Sequence, residues 1–309
     1  MMDVCLLGNG GMLPLPGRAL TALYVRCGGR VVLIDCGEGT QTAIRAAGLR
    51  MKPIETILIT HFHADHISGL PGLLLTLGNE GRTEDVHIYG PEGLVRVVNA
   101  LRVIVPELPY ALHCHEWKNG SCGTALCVGM NVTAFPLNHG TPCFGYCLEW
   151  KRPGKFDPQR AKDKAVPLAL WSRLQQGETV DGFTPEDVLG QPRRGLRLTY
   201  ATDSRPVENM ETFGRDADLL ILEGMFGEPE KQDRAEVTHH MLMQEAAQIA
   251  KRAGARQLWL THFSPATPEP EEFLPQIQEI FPNTTMGFAG LYTSLGFREE
   301  KEPTADASL

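Results

Sequence analysis

Short apolar runs separated by turn-forming residues fill the first third of the chain and predict β-strands. Three strands are expected at Asp3 to Leu7, Leu20 to Cys27 and Val31 to Asp35. A helix is expected at Thr40 to Ala47, followed by a buried strand at Glu55 to Thr60. Strands and helices continue to alternate toward the C-terminus, so the pattern predicts an α/β fold.

Apolar positions at helical spacing predict three further helices. The first, Ile67 to Leu77, is largely apolar, and Pro71 is expected to bend its first turn. The other two are predicted at His240 to Ala253 and Pro270 to Phe281. The polar tail from Glu299 to Leu309 has no such pattern and is expected to fray.

The segment from Lys151 to Gln191 differs from the rest of the chain. It is charged, it contains four prolines before Gln191, and it interrupts the strand pattern between Cys147 and Leu196. A long insertion without core periodicity is usually functional or disordered. We therefore predict a single domain over residues 1–309 with an inserted arm at residues 151–191.

Composition narrows the class of protein. With 309 residues, 42% hydrophobic and 21% charged, the chain resembles an ordinary soluble globular protein with a substantial core. No apolar run approaches the roughly 20 residues that span a bilayer, and the N-terminus lacks the features of a signal peptide. Several of the eight cysteines lie inside apolar runs, which favours buried, reduced thiols. The expected location is the cytoplasm.

Four potential metal ligands lie within six residues, directly after the predicted buried strand. His61, His63, Asp65 and His66 form the pattern His-x-His-x-Asp-His. Imidazole and carboxylate groups together suit Zn²⁺ and similar ions, and a core strand holds such a loop rigidly. Their spacing lets His61 and His63 bind one ion while Asp65 and His66 reach a second.

Further ligand-type residues follow later apolar runs. His139 comes after Val132 to Leu137, Asp203 after Gly195 to Thr202, and His262 after Gln257 to Thr261. A single histidine after a strand carries little weight, but the repetition indicates that one edge of the fold collects these side chains.

This motif and the order of the later ligands resemble the metallo-β-lactamase superfamily, which implies an αββα sandwich. The narrower resemblance is to the ribonuclease Z family, which trims the 3′ end of precursor tRNA. Four stretches carry it: Asp35-Cys-Gly-Glu-Gly-Thr-Gln41, Thr60-His-Phe-His-Ala-Asp-His-Ile-Ser-Gly-Leu-Pro-Gly72, Ala201-Thr-Asp-Ser-Arg-Pro206 and Leu260-Thr-His-Phe-Ser264. In the first, the glycines allow a tight turn and Thr40 is expected to cap the following helix.

The resemblance implies two zinc ions per chain. One would be held by His61, His63 and His139, and the other by Asp65, His66 and His262, with Asp203 bridging both. Two cations that share an anion retain open positions for a hydroxide and a phosphate oxygen. Asp65 would also orient that hydroxide or accept its proton. Manganese or iron would suit the same ligands.

A leaving oxygen also needs a proton. The resemblance implies that His240 is the general acid and that Glu223 orients it, since a carboxylate holds an imidazole in one tautomer and raises its pKa. The alternative is that His239 or His240 starts a helix behind Thr238 as its cap.

The inserted arm is the part that departs most from the family. Its Gly-Pro tip is absent, and Val166-Pro-Leu-Ala-Leu-Trp171 replaces it. Residues 151–173 hold seven Lys or Arg against two Asp, a net of +5 in a chain of net charge −8. Such a patch would bind the phosphates of precursor tRNA, and the alternative is a solvated charged loop. Trp171 would pack the arm or stack on a base.

Three functions remain in view. The leading prediction is a zinc-dependent endoribonuclease that cleaves the 3′ trailer of precursor tRNA and leaves a 3′-hydroxyl. The second is another dinuclear zinc hydrolase of the same fold that acts on a small phosphodiester or sulfate ester. The third is an RNA-binding scaffold with a vestigial centre. The family also implies a homodimer.

Overall fold

Fourteen strands and ten α-helices make up the computed structural model, which describes residues 1–297 and leaves the predicted frayed tail outside the described residues. The strands are β1 Met2–Gly8, β2 Ala22–Cys27, β3 Arg30–Ile34, β4 Ile54–Leu58, β5 Val86–Pro91, β6 Leu112–Trp117, β7 Gly123–Cys127, β8 Met130–Pro136, β9 Phe144–Arg152, β10 Arg193–Ala201, β11 Leu219–Glu223, β12 Leu258–Thr261, β13 Thr284–Met286 and β14 Leu291–Leu295. The helices are α1 Thr40–Ala46, α2 Ala64–Ile67, α3 Leu70–Asn79, α4 Leu94–Leu101, α5 Pro158–Asp163, α6 Trp171–Gln175, α7 Glu208–Gly214, α8 Gln232–Thr238, α9 Met243–Ala253 and α10 Leu274–Ile280.

The strands form two seven-stranded sheets. The first has the order β14-β1-β2-β3-β4-β5-β6 and the second the order β13-β12-β11-β10-β9-β8-β7. In the first sheet, β3 to β6 run parallel, and in the second, β10 to β13 do so. The carboxyl ends of parallel strands lie at one edge of a sheet, so the loops that follow them collect there.

Each sheet is covered by helices on one face. Ile44 of α1, Leu73 of α3 and Val98 of α4 share a buried cluster with the first sheet, while Met210 of α7 and Ile249 of α9 pack on the second. The sheets also touch each other, because the Tyr146 hydroxyl of β9 donates to the Ile59 carbonyl beyond β4 at 2.7 Å. The layer order is therefore helix, sheet, sheet, helix, as the sequence predicted.

Three local predictions were wrong. Gly39, with φ of 86°, precedes α1 as its N-cap, whereas Thr40 is the first helical residue and its hydroxyl bonds back to the Gly37 carbonyl. The helix predicted at Ile67 to Leu77 begins only at Leu70 as α3, since Ile67 ends the separate helix α2, and Pro71 lies in the first turn of α3, where its missing N–H costs nothing. The helix predicted from His240 begins at Met243, because Leu242 is extended and Glu245 bonds its N–H.

Residues 150–196 form a compact unit of their own by internal contacts. The segment shows no core periodicity in sequence, yet Ala161, Val166, Leu174 and Val188 are buried together in a small cluster. Trp171 packs within this unit, with its ring 5.1 Å from that of Phe156 and its indole N–H on the Val166 carbonyl. Among residues 1–297, no helix is both long and apolar enough to cross a membrane.

Candidate active site

All seven predicted metal ligands meet at the adjoining edges of the two sheets. The loop after β4 supplies His61 and His63, and α2 supplies Asp65 and His66. The second sheet supplies one ligand after each of three strands, namely His139 beyond β8, Asp203 beyond β10 and His262 beyond β12. The fold thereby brings together side chains that are up to about 200 residues apart in the sequence.

The seven side chains form overlapping groups of potential ligands. Donor atoms of His61, His63 and His139 lie within 4.8 Å of one another, as do those of Asp65, His66 and His262. Asp203 lies between the two groups. One of its oxygens is 3.2 Å from His262 Nε2 and 4.0 Å from His61 Nε2, and the other is 3.2 Å from His66 Nε2.

Hydrogen bonds direct the Nε2 atoms of three histidines into the centre. His66 Nδ1 donates to Asp35 at 2.8 Å, His61 Nδ1 donates to the Thr60 hydroxyl at 3.0 Å, and His139 Nδ1 donates to the His239 carbonyl at 3.3 Å. In a neutral ring with Nδ1 protonated, Nε2 presents a lone pair, which is the tautomer that a metal ligand needs. Burial lowers the pKa of His66, but Asp203 and Asp35 outweigh burial and raise it, so a metal would displace a proton from this ring.

These side chains fit divalent cations. His61 Nε2 is buried and has no hydrogen-bond partner, a state that costs free energy unless something binds it. Burial lowers the pKa of His61 well below its usual range and, opposed by Asp203, lowers the pKa of His139 to about 4. Both imidazoles are therefore neutral near pH 7, as metal ligands must be. The imidazole and carboxylate set suits zinc and its neighbours.

The predicted acid pair is also assembled. His240 Nδ1 lies 2.8 Å from Glu223 Oε2, and Glu223 is fully buried at the end of β11. Burial lowers the pKa of His240, but the charge and hydrogen bond of Glu223 outweigh burial and raise it to about 9. A ring nitrogen of His240 lies within 4.8 Å of donor atoms of Asp203 and His262.

The alternative placement of His240 was wrong. Thr238 ends α8 and its hydroxyl bonds to the Arg234 carbonyl, so it caps no following helix. His239 adopts φ of 57°, which turns the chain and sends His240 toward Glu223. Non-glycine residues in this left-handed region also include Asp203 and His262, and such backbone strain clusters at functional sites.

A cavity of about 260 Å³ adjoins the ligand cluster and His240. Its walls include Met12 and Phe226 as apolar surfaces and Arg234 as a cation. The cavity gives the centre access for a bound molecule that carries both apolar and anionic parts.

Sequence reasoning missed several residues that position the site. Asp35 was interpreted only as part of a turn, yet its carboxylate is fully buried and also accepts from the Thr60 N–H at 2.8 Å. The Met12 N–H donates to Asp65 Oδ2 at 2.8 Å. A Cβ on Gly11 would lie 2.6 Å from the His262 ring, so glycine is required there. The available signals were an acidic residue at a strand end and a Gly-Gly pair.

Comparison with known proteins agrees with this geometry. Residues 16–146 match the model of the metallo-beta-lactamase superfamily, and residues 147–263 match that of the beta-lactamase superfamily domain. Ribonuclease Z of Lachnoclostridium phytofermentans is 52% identical over 93% of this chain and 95% of its own. Ribonuclease Z of Agathobacter rectalis is 49% identical over 97% of this chain and 100% of its own. The chain belongs to the ribonuclease Z family.

A solved structure supports the same placement. Human tRNase Z, short form, superimposes with a TM-score of 0.70 at 26% identity, covering 96% of this chain and 100% of that one. The predictions of the ribonuclease Z family and of the metallo-β-lactamase fold are thus confirmed. Within this ribonuclease Z fold, the His-x-His-x-Asp-His loop and the three later strand ends form one centre.

Proposed function

We propose that this chain is an endoribonuclease that cleaves the 3′ trailer of precursor tRNA and leaves a 3′-hydroxyl on the tRNA. The observation that carries the proposal is that five of the seven candidate ligands and His240 line one cavity, with the other two ligands and Glu223 directly behind them. The family relationship supplies the substrate class, because the curated relatives are named ribonuclease Z.

The proposed cofactor is a pair of zinc ions. His61, His63 and His139 would hold one, Asp65, His66 and His262 the other, and Asp203 both. When bound, two such cations lower the pKa of a water to make a nucleophile and offset negative charge on the phosphate.

The chain's own groups account for the remaining chemistry. Asp65, which accepts the Met12 N–H, would orient the attacking water and accept its proton. As the bond between phosphorus and the tRNA 3′-oxygen breaks, His240 donates its proton to that oxygen and forms the 3′-hydroxyl. Glu223 holds Nδ1 of His240, so the opposite ring nitrogen faces the cavity.

The deciding experiment is cleavage of a 3′-extended precursor tRNA by the purified chain. A single cut after the discriminator base is expected, with Asp65→Ala inactive and His240→Ala slowed about 10²-fold or more. Asp85→Ala, which changes an exposed carboxylate paired with His113, is the matched control and should leave the rate unchanged. Hydrolysis of bis-(p-nitrophenyl) phosphate without any cut in tRNA would contradict the proposal and indicate a small phosphodiester as substrate.

The arm at residues 151–191 is proposed as the second contact with tRNA. Arg160, Lys162 and Lys164 are exposed on or beside α5, which Asp157 caps through its carboxylate. The positive charge is confined to residues 151–173, since the remainder of the arm holds four acidic and no basic residues. Phosphate binding would therefore involve only the first half of the arm.

Charge removal tests the role of the arm. Changing Arg160, Lys162 and Lys164 to Ala should raise KM for precursor tRNA and flatten its dependence on salt, while hydrolysis of a small phosphodiester stays unchanged. Changing the exposed Lys52, Arg96 and Lys118 to Ala removes the same charge elsewhere and is the control. Equal effects of the two triple variants would assign the result to net charge and contradict the exosite.

We also propose that the enzyme is a cytoplasmic homodimer. All eight cysteines are free thiols, seven of them buried or half-buried, as expected in a reducing compartment. The proposal of a homodimer rests on the family resemblance alone.

Light scattering during gel filtration should give twice the chain mass of 34.0 kDa, and a mass near 34.0 kDa would exclude the dimer.

A further inference from the structure

Arg205 lies at the junction of three loops that carry the active-site residues. Its backbone N–H donates to the Asn138 carbonyl at 3.0 Å, directly before His139. Its guanidinium donates to the His240 carbonyl at 2.6 Å. Arg205 itself lies two residues beyond Asp203. Through its backbone N–H and its side chain together, Arg205 thus connects the loops after β8 and β10 with the turn between α8 and α9.

Glu245 completes the arrangement. The Arg205 guanidinium makes a two-pronged ion pair with it, at 2.8 Å to Oε2 and 2.6 Å to Oε1. Glu245 Oε2 also accepts the Leu242 N–H at 2.8 Å, which caps the start of α9. Both charged side chains are largely buried, with 15% and 24% of their surfaces exposed. A bidentate pair of this kind fixes both position and orientation.

His240 is consequently held from two directions. Glu223 binds its ring at Nδ1, and Arg205 binds its main-chain carbonyl. Glu223 is also bound to the loop after β10, since its other oxygen accepts the Ser204 N–H at 2.6 Å. The ring of His240 therefore cannot shift relative to Asp203 without breaking charge-assisted hydrogen bonds.

The geometry points to Arg205, with Glu245, as a positioning residue for the general acid, one that holds His240 in register with the metal ligands on the neighbouring loops. Arg205 is not among the residues that line the cavity, and its guanidinium bonds to the His240 carbonyl and Glu245, so its effect should concentrate on protonation of the leaving oxygen. This inference rests on the proposed function, because it assigns a supporting role to the acid of that reaction.

Leaving-group chemistry separates this role from a structural one. A ribose 3′-oxygen needs a proton to depart, whereas p-nitrophenolate departs without one. In Arg205→Ala, kcat for precursor tRNA should fall about 10–100-fold, because misplacement of a catalytic group by a fraction of an ångström carries penalties of this size. Hydrolysis of bis-(p-nitrophenyl) phosphate should stay within about threefold of wild type, with unchanged metal content by mass spectrometry.

Matched variants separate the effect of charge at position 205 from the effect of the two-pronged geometry. Arg205→Lys retains the charge but loses the fork and should fall between Arg205→Ala and wild type. Glu245→Gln should follow Arg205→Ala in the same direction. Arg252→Ala removes another Arg–Glu pair, with Glu211, from the same helix α9, and should change neither substrate's rate.

A double variant tests whether Arg205 acts through His240. Arg205→Ala should have almost no further effect in a His240→Ala background, since residues that act as a unit are not additive. Equal losses on both substrates, full additivity with His240→Ala, or an unchanged tRNA rate would each overturn the inference.

Two further measurements keep the test decisive. If Arg205→Ala fails to fold by circular dichroism, Arg205→Lys and Glu245→Gln provide the same substrate comparison. If the wild-type chain does not cut precursor tRNA, the proposed function fails, and a series of aryl phosphodiesters replaces that substrate. A steeper dependence on leaving-group basicity in the Arg205 variants than in wild type would then support the positioning role, and identical slopes would refute it.

Discussion

The two sheets differ in how their loops contribute residues to the candidate active site. The first sheet supplies four ligands from a single stretch of six residues, His61 to His66, which follows β4. The second sheet supplies three ligands from three separate strand ends, and its acid pair comes from β11 and the turn after α8. The first half is encoded locally, whereas the second depends on how β8, β10, β11 and β12 align.

This difference has an energetic consequence. On the first-sheet side, Asp35 and Thr60 lie just behind the ligands and fix His61 and His66 through a few short hydrogen bonds. On the second-sheet side, the loops themselves must be tied together, as Arg205 does with Asn138 and the His240 carbonyl. The first side should therefore tolerate changes elsewhere in the fold, whereas the second should respond to any shift between loops.

The largest expected effect comes from the carboxylate between the two ligand groups. Asp203→Ala should abolish cleavage, by about 10³-fold or more, and lower the content of both metals, because Asp203 contacts histidines of both groups. Asp65→Ala should be as inactive but lose mainly one metal. Elemental analysis after dialysis measures this, and two retained metals per chain in Asp203→Ala would refute the bridging role.

The next largest effect is expected at Asp35, whose carboxylate accepts the His66 Nδ1–H. Asp35→Asn presents an amide that can donate to His66 Nδ1 and thereby favours the tautomer with Nε2 protonated. Zinc affinity should fall about 10–100-fold, measured by competition with a chromogenic chelator. Asp85→Asn is the control, since Asp85 is exposed and pairs with His113 instead. Unchanged affinity in Asp35→Asn would show that the buried carboxylate serves stability alone.

A smaller effect is expected at Gly11, which lies in the loop after β1 and contacts the ring of His262 beyond β12. In Gly11→Ala the new Cβ would lie 2.6 Å from the His262 ring, so either the loop or the ring must move. Cleavage should fall by up to about 10²-fold through misplacement of His262. Gly296→Ala meets open space and should be neutral. A neutral Gly11→Ala would mean that the Gly8–Gly11 loop shifts freely.

The smallest effect lies on the first sheet away from the site. Asp3 accepts from Arg26 and Ser294, and although burial raises its pKa, these partners outweigh burial and lower it. A lowered carboxyl pKa contributes stability above the ordinary pKa, and this is lost as pH falls through the folded value. Asp3→Asn should cost about 0.5 kcal/mol at pH 7, given the exposed Arg26, and less in acid.

Denaturant unfolding at two pH values measures this last effect. Activity at pH 7 should stay at the wild-type value, because Asp3 contacts no residue of the site. A stability difference that grows toward acid pH would contradict the assigned pKa direction.

Much of the site was predictable from sequence because its chemistry follows strand ends. The candidate ligands from His61 to His262, and the pair Glu223 and His240, each lie in or beside a short motif that can be recognised in the sequence. The local errors arose where a cap or turn was assigned by residue type alone. Thr40 and Thr238 are good capping residues, yet Gly39 and Leu242 take those positions because the backbone geometry there outweighs intrinsic preference.

The arm shows the opposite case. Its apolar residues follow neither the helical nor the strand period, so periodicity did not reveal that Val166, Leu174 and Val188 share a buried cluster. Short helices and turns bring such residues together only in three dimensions.

The alternation of short apolar runs was enough to predict an α/β fold, and local spacing was enough to predict a metal-binding loop from His61 to His66, because both are properties of neighbouring residues. The resemblance of four motifs added the family and the later ligands. What holds those ligands in place is visible only in the folded chain. Asp35 behind His66, the Met12 N–H on Asp65 and Arg205 behind His240 each join positions 31 to 53 residues apart. Such contacts depend on sheet register and loop conformation, which leave no fixed spacing in the chain.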